Sequence, residues 1–194
     1  MVVNDTREHI VQAATELFRR QGLNGTSIKQ ITIAAGATTG SVYHFFPGGK
    51  DQLAAEVIET SGAAYRELFD RVADAVGDPV VAVRDFFEGA ALVLEETDYI
   101  DPCPIGTIAR EVASTSETLR QSTTRVFDSW IAAAACRFER AGLPDAHAAE
   151  LATCVVAAIE GGFVVARAAR DATALRVVGR HMTRLVAASL PTGV

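Results

Sequence analysis

The chain has 194 residues, a net charge of −6 and a hydrophobic fraction of 49%, which supplies ample apolar surface for a buried core and excludes a disordered tail. No apolar run approaches the roughly 18 uninterrupted residues of a membrane span. The opening Asn4, Asp5, Arg7 and Glu8 lacks the basic-then-apolar order of a secretory signal, so a cytoplasmic protein without membrane contact is expected.

Along the chain the apolar spacing is helical almost throughout. Ile10, Ala13, Ala14, Leu17 and Phe18 form one face of a first helix, with Asp5 placed to cap its start and Gly22 to end it. Ser27 and Gln30 have the spacing of a capping box. The short helix they open stops near Gly36, whose tolerance of positive φ suits a tight turn. Thr38 caps a third helix through Ser41, Val42 and Tyr43, which breaks at Pro47, Gly48 and Gly49. Three helices, the last two short and joined by a Gly-containing turn, give a helix-turn-helix outline in residues 1–50.

Residues 51–194 continue as helices. One runs from about Asp51 to Val76. The next is opened by Asp78 as cap and Pro79 at its first position and ends near Asp98. After "DPCPIG" a short helix spans about Ile105 to Val112. Ser114 with Glu117 reads as a second capping box, opening a helix that Gly142 and Pro144 close. Two further helices cover about Ala146–Arg170 and Thr173–Ser189. Nothing alternates with period two for long enough to be a strand, so the fold class is all-α with about nine helices.

Charge is uneven. Five bases against three acids give +2 over residues 1–50, and thirteen against twenty-one give −8 over the rest. A basic head on an acidic body suggests that the head alone meets a polyanion. A recognition helix pushes small polar side chains into the major groove, and Thr38, Thr39, Gly40 and Ser41 are of that kind. Tyr43 and His44, one turn on, suit phosphate oxygens, as does Lys50 at the next helix start. Taken singly, Thr38 also suits a plain cap, Gly40 close packing and Lys50 a solvated charge.

These residues sit within a pattern that resembles the DNA-binding domain of the tetracycline-repressor (TetR) family: Ile10, Ala13, Ala14, Leu17, Phe18, Gly22, Thr26, Ser27, Ile31, Ala35, Gly36, Gly40, Tyr43, Phe46, Lys50 and Leu53. "PGGK" and the "CPIG" beginning at Cys103 are similar to its LmrA/YxaF-like branch. The resemblance implies a helix-turn-helix domain over 1–50, an effector-binding and dimerisation domain over 51–194, and DNA contacts from Thr26, Ser27, Thr38, Thr39, Gly40, Ser41, Tyr43, His44 and Lys50. It further implies a homodimeric, ligand-responsive repressor that binds double-stranded operator DNA. Three positions depart from the family pattern, Thr32, Ile33 and Phe45; Phe45 cannot hydrogen-bond phosphate.

An effector pocket is expected around Phe86, Phe87, Tyr99, Ile105, Ile108, Phe127, Trp130 and Ile131, aromatic-rich and suited to a flat apolar molecule, although each equally suits a core. Arg110, Glu111, Glu95 and Glu96 are candidate polar contacts. A dimer face is expected on Val155, Ile159, Gly162 and Phe163 with Leu175, Val178, Met182 and Leu185, stripes that also suit an intramolecular core.

Rival readings are weaker. "FPGGKD" lacks the strand and the hydroxyl of a phosphate loop. Cys103, Cys136 and Cys154 are too widely spaced for a disulfide framework, and His9, His44, His147 and His181 show no local metal-ligand spacing, so neither metal nor cofactor is expected. An all-α enzyme using Cys103, or Cys154 with His181, and a helical scaffold without DNA binding remain the alternatives.

Overall fold

A computed structural model describes residues 2–100 and 103–191, which form nine α-helices and no strand among the described residues: α1 (Val2–Gln21), α2 (Ile28–Ala35), α3 (Thr39–Phe45), α4 (Gly49–Val76), α5 (Pro79–Glu96), α6 (Pro104–Val112), α7 (Glu117–Arg140), α8 (Asp145–Ala169) and α9 (Thr173–Ser189). Part of the expected break at "DPCPIG", Asp101 and Pro102, lies outside the described residues. The chain divides into two compact units, Met1–Ala63 with Cys103–Val126 and Ala64–Pro102 with Phe127–Val194.

In the first unit, α1 buries Ile10, Ala14 and Phe18, and Ile31, Val42, Phe46 and Leu53 complete the core of the first helices. Two helix starts differ from expectation. Helix α1 already runs at Val2, so Asp5 lies inside its first turn and pairs with His9 (3.2 Å) rather than capping. Helix α7 begins at Glu117, and its cap is Ser116, whose Oγ accepts from the Leu119 N–H (3.4 Å). The reason lies in the end of α6: the Thr115 and Ser116 N–H groups both donate to the Val112 carbonyl (3.1 Å each), winding the chain past Ser114.

In the second unit, α9 lies between α5 and α8. Glycines permit this closeness: a Cβ on Gly179 would stand 2.6 Å from the Cβ of Phe87, and one on Gly162 would stand 2.8 Å from Leu175 Cδ2. Asp78 caps α5 as expected, its Oδ1 accepting from Val80 (2.8 Å) and Val81 (3.4 Å). Arg176 on α9 closes the α5 seam with a bidentate pair to Glu95 (2.6 and 2.8 Å) and a bond to Glu88 (3.1 Å).

Candidate nucleic-acid interface

The site is built from two capped helices and the turns that enter them. At the start of α2 the capping box is complete: Ser27 Oγ accepts from the Gln30 N–H (3.3 Å), and the Ser27 N–H donates to Gln30 Oε1 (2.8 Å). Helix α2 ends at Gly36, whose φ of 61° supplies the left-handed turn that other residues adopt only at a cost. Thr38 then caps α3, its Oγ1 accepting from the Ser41 N–H (3.0 Å) and sharing a hydrogen with Ser41 Oγ (2.9 Å).

These caps sort the expected contacts. Thr38, Thr39, Gly40, Tyr43 and His44 are exposed and Ser41 is half-buried. Thr38 and Ser41 spend hydroxyl capacity on each other and on the cap, which leaves Thr39 and Gly40 as the most open positions of the α3 start. Val42 and Phe46 point inward. Tyr43 stands outward beside Gly49, and His44 meets Phe45 edge to face at 5.0 Å. Thr26 differs from the others: it is 2% exposed, and its hydroxyl donates to the Gly22 carbonyl (2.7 Å) and accepts from Gln21 Nε2 (3.2 Å). In this structure the hydroxyl braces the turn.

Lys50 is half-buried, and its ammonium donates to the carbonyls of Leu23 (3.0 Å) and Thr26 (3.1 Å). Two of its three hydrogens therefore hold the α1–α2 turn. Lys29 is the exposed cation that motif reading passed over, at the second position of α2; the +2 balance of the first fifty residues was its only signal. The departures also find places. Thr32 is buried with its hydroxyl on the Lys29 carbonyl (2.9 Å), while Ile33 is 71% exposed.

The expected effector residues fall in both units. Ile105 and Ile108 are fully buried core of the first unit. In the second, Phe87 is core against Gly179, whereas Phe86, Tyr99, Phe127, Trp130 and Ile131 are half-buried. Trp130 meets Phe127 edge to face (5.5 Å) and Tyr65 at 6.0 Å, and Phe86 meets Phe69 (5.4 Å). Tyr65 and Phe69, on α4, join these rings from a helix whose spacing alone does not show that they meet α5 and α7. Glu111 lies in the first unit and accepts from the Asn24 N–H (2.7 Å). Glu95 is engaged by Arg176.

Of the expected dimer face, Val155, Ile159, Gly162 and Leu175 are buried inside the chain, and Phe163, Val178 and Met182 pack against the same core. Only Leu185, 41% exposed, stands outward. Helix α8 is apolar on more than one side, so spacing alone selected its inward stripe. By length and composition it is also long and apolar enough to cross a membrane, with 33% of its most apolar window buried in the chain.

A capped α2, a left-handed glycine turn and an α3 with a polar, open start define a helix-turn-helix protein. Residues 10–57 match the family described as bacterial regulatory proteins, tetR family, and residues 79–181 match the C-terminal domain described as transcriptional regulator LmrA/YxaF-like. The regulator YxaF of Bacillus subtilis is 36% identical over 182 residues, 94% of this chain and 95% of that protein. LmrA of the same organism is 34% identical, covering 90% and 93%. A crystal structure of a TetR regulatory protein from Rhodobacter sphaeroides superposes with a TM-score of 0.83 at 21% identity, covering 92% of this chain and 97% of that one. The chain belongs to the TetR family of bacterial transcriptional regulators. Within it, the chain falls in the LmrA/YxaF-like branch, whose similar members are regulators rather than enzymes.

Proposed function

We propose that this regulator is a repressor that binds a palindromic operator as a homodimer and leaves it when a small, largely apolar molecule enters the second unit. The observation that carries the reading is the open, uncharged start of α3, with Thr39 and Gly40 exposed beside the half-buried Ser41, with Tyr43 and His44 exposed further along α3 and Lys29 exposed on α2 for phosphates. Two half-sites read by one protein imply two-fold symmetry.

The outward stripe of α8 suits the second copy. Cys154, Ala157, Gly161, Val164 and Ala168 are all exposed at alternating three- and four-residue steps, the spacing of a helix-packing seam, and Leu185 is exposed on α9. For the effector, the half-buried rings of Phe127, Trp130 and Tyr65, set edge to face and tilted to one another, offer an aromatic, mostly apolar lining.

A gel shift with the DNA upstream of its own gene tests the reading. Salt-sensitive binding that resists nonspecific competitor is expected. Unchanged binding by a Thr38, Thr39, Ser41 triple alanine variant would remove α3 from the role. Flavonoid-like and other flat aromatic compounds are the first inducers to screen, with Trp130 fluorescence as reporter. A flat signal, with release instead by a polar metabolite, overturns the apolar pocket.

A further inference from the structure

The turn between α1 and α2, residues 22–26, is gripped from two directions by side chains distant in sequence. Lys50 holds the Leu23 and Thr26 carbonyls. On another flank, the Glu111 carboxylate near the end of α6 accepts from the Asn24 N–H at 2.7 Å. The approach is close: Glu111 Oε1 stands 1.9 Å from where a Cβ on residue 22 would be, and Gly22 has φ 78°. Glycine at 22 is favoured by the left-handed backbone conformation, and a side chain there would also push the Glu111 carboxylate off the turn. Leu23 beside it is 4% exposed, so the turn is anchored as well as bonded.

Four residues after Gly22 come Thr26 and then Ser27, the residue that starts α2. A turn held at the Asn24 N–H and at two carbonyls fixes where α2 begins, and through the Gly36 turn it fixes α3. The hydrogen bond given for Glu111 goes to the Asn24 N–H in the turn, so the carboxylate acts on α2 and α3 through the turn.

We propose that Glu111 is a positioning residue for DNA binding, holding the α1–α2 turn so that specific operator recognition requires α6 to be docked on α1. The proposal rests on the DNA-binding reading above and names a residue outside the helix-turn-helix segment on which it depends. A carboxylate on a backbone N–H is a charge-assisted bond, stronger than a neutral one, and α6 packs against α1, so the contact joins two elements that are 87 positions apart at the bonded residues.

Glu111 is half-buried on a helix surface, and Glu111→Ala is expected to fold, which circular dichroism checks. Two measurements then decide the proposal. Amide exchange at Asn24 and in the first turn of α2 should quicken about tenfold or more in Glu111→Ala and stay near wild type in Glu111→Gln, which keeps an acceptor oxygen. On the upstream duplex, Glu111→Ala should lose about tenfold in specific affinity, ~1.4 kcal/mol, with unchanged affinity for random duplex and an unchanged salt slope. Purely structural damage would instead lower both affinities together. Equal exchange at Asn24 in wild type and Glu111→Ala overturns the proposal. So does a fall in nonspecific binding equal to the specific one. A wild-type protein that fails to select the upstream duplex counts against the DNA-binding reading, and the exchange result still decides the role of Glu111 in holding the turn.

Discussion

Two of the three hydrogens on the Lys50 ammonium point at the Leu23 and Thr26 carbonyls, which changes what its removal should do. A solvated phosphate contact, replaced by alanine, flattens the salt dependence by about one unit and leaves the fold alone. Lys50→Ala should also lower the melting temperature, because the Leu23 and Thr26 carbonyls lose the ammonium and Leu23 keeps only the Thr26 N–H (3.2 Å). The control is Lys29→Ala, exposed on α2, for which the slope should flatten with the melting temperature unchanged. A Lys50→Ala protein as stable as wild type would reduce the residue to a surface charge. At the reading position, Thr39→Ala should alter preference among operator variants by about 1–3 kcal/mol for each base edge it no longer reads. The clamp on the turn was not legible in the sequence. Lys50 and Glu111 lie 24 to 27 and 87 positions from their partners, and local spacing carries no sign of either bond.

Helix ends were more legible, where the cap and its partner are neighbours in sequence. Ser27 with Gln30 and Asp78 with Pro79 could be read directly, because the N–H groups they satisfy are two or three residues away. Ser27→Ala should therefore cost about 1 kcal/mol of stability, measured by chemical denaturation. Ser114 failed for a physical reason: three consecutive hydroxyl residues compete for the cap, and the winding of the α6 end decides among them. The α5 and α9 pairing adds a pH dependence. A hydrogen bond from Arg176 holds the Glu95 carboxyl below its usual range, so its contribution is complete above the unfolded value of about 4.5 and fades as pH falls through the lower folded value. Between about pH 5 and 3 the urea midpoint of wild type should fall more steeply than that of Glu95→Gln, modestly because the pair is exposed. Equal slopes would mean the pair adds nothing to the seam.

For the whole molecule, the adjacent glycines of α8 separate folding from assembly. A Cβ on Gly162 collides with Leu175, whereas one on Gly161 meets nothing within 4 Å. Gly162→Leu should lower the melting temperature by overpacking the core. Gly161→Arg should leave the subunit folded while light scattering shows a monomer at micromolar concentration, if the outward α8 stripe seats a second copy. A Gly161→Arg dimer would place the contact elsewhere. The all-α architecture could be read from periodicity, but which side of α8 faces inward could not, because apolar residues line both. The chain also carries only two lysines, one open at Lys29 and one tied to backbone at Lys50. Amine-acylating reagents should thus mark Lys29 at once and reach Lys50 only as often as the turn lets go. The ratio of the two labels is a built-in clock for opening of the DNA-reading head, readable by mass spectrometry in any mixture.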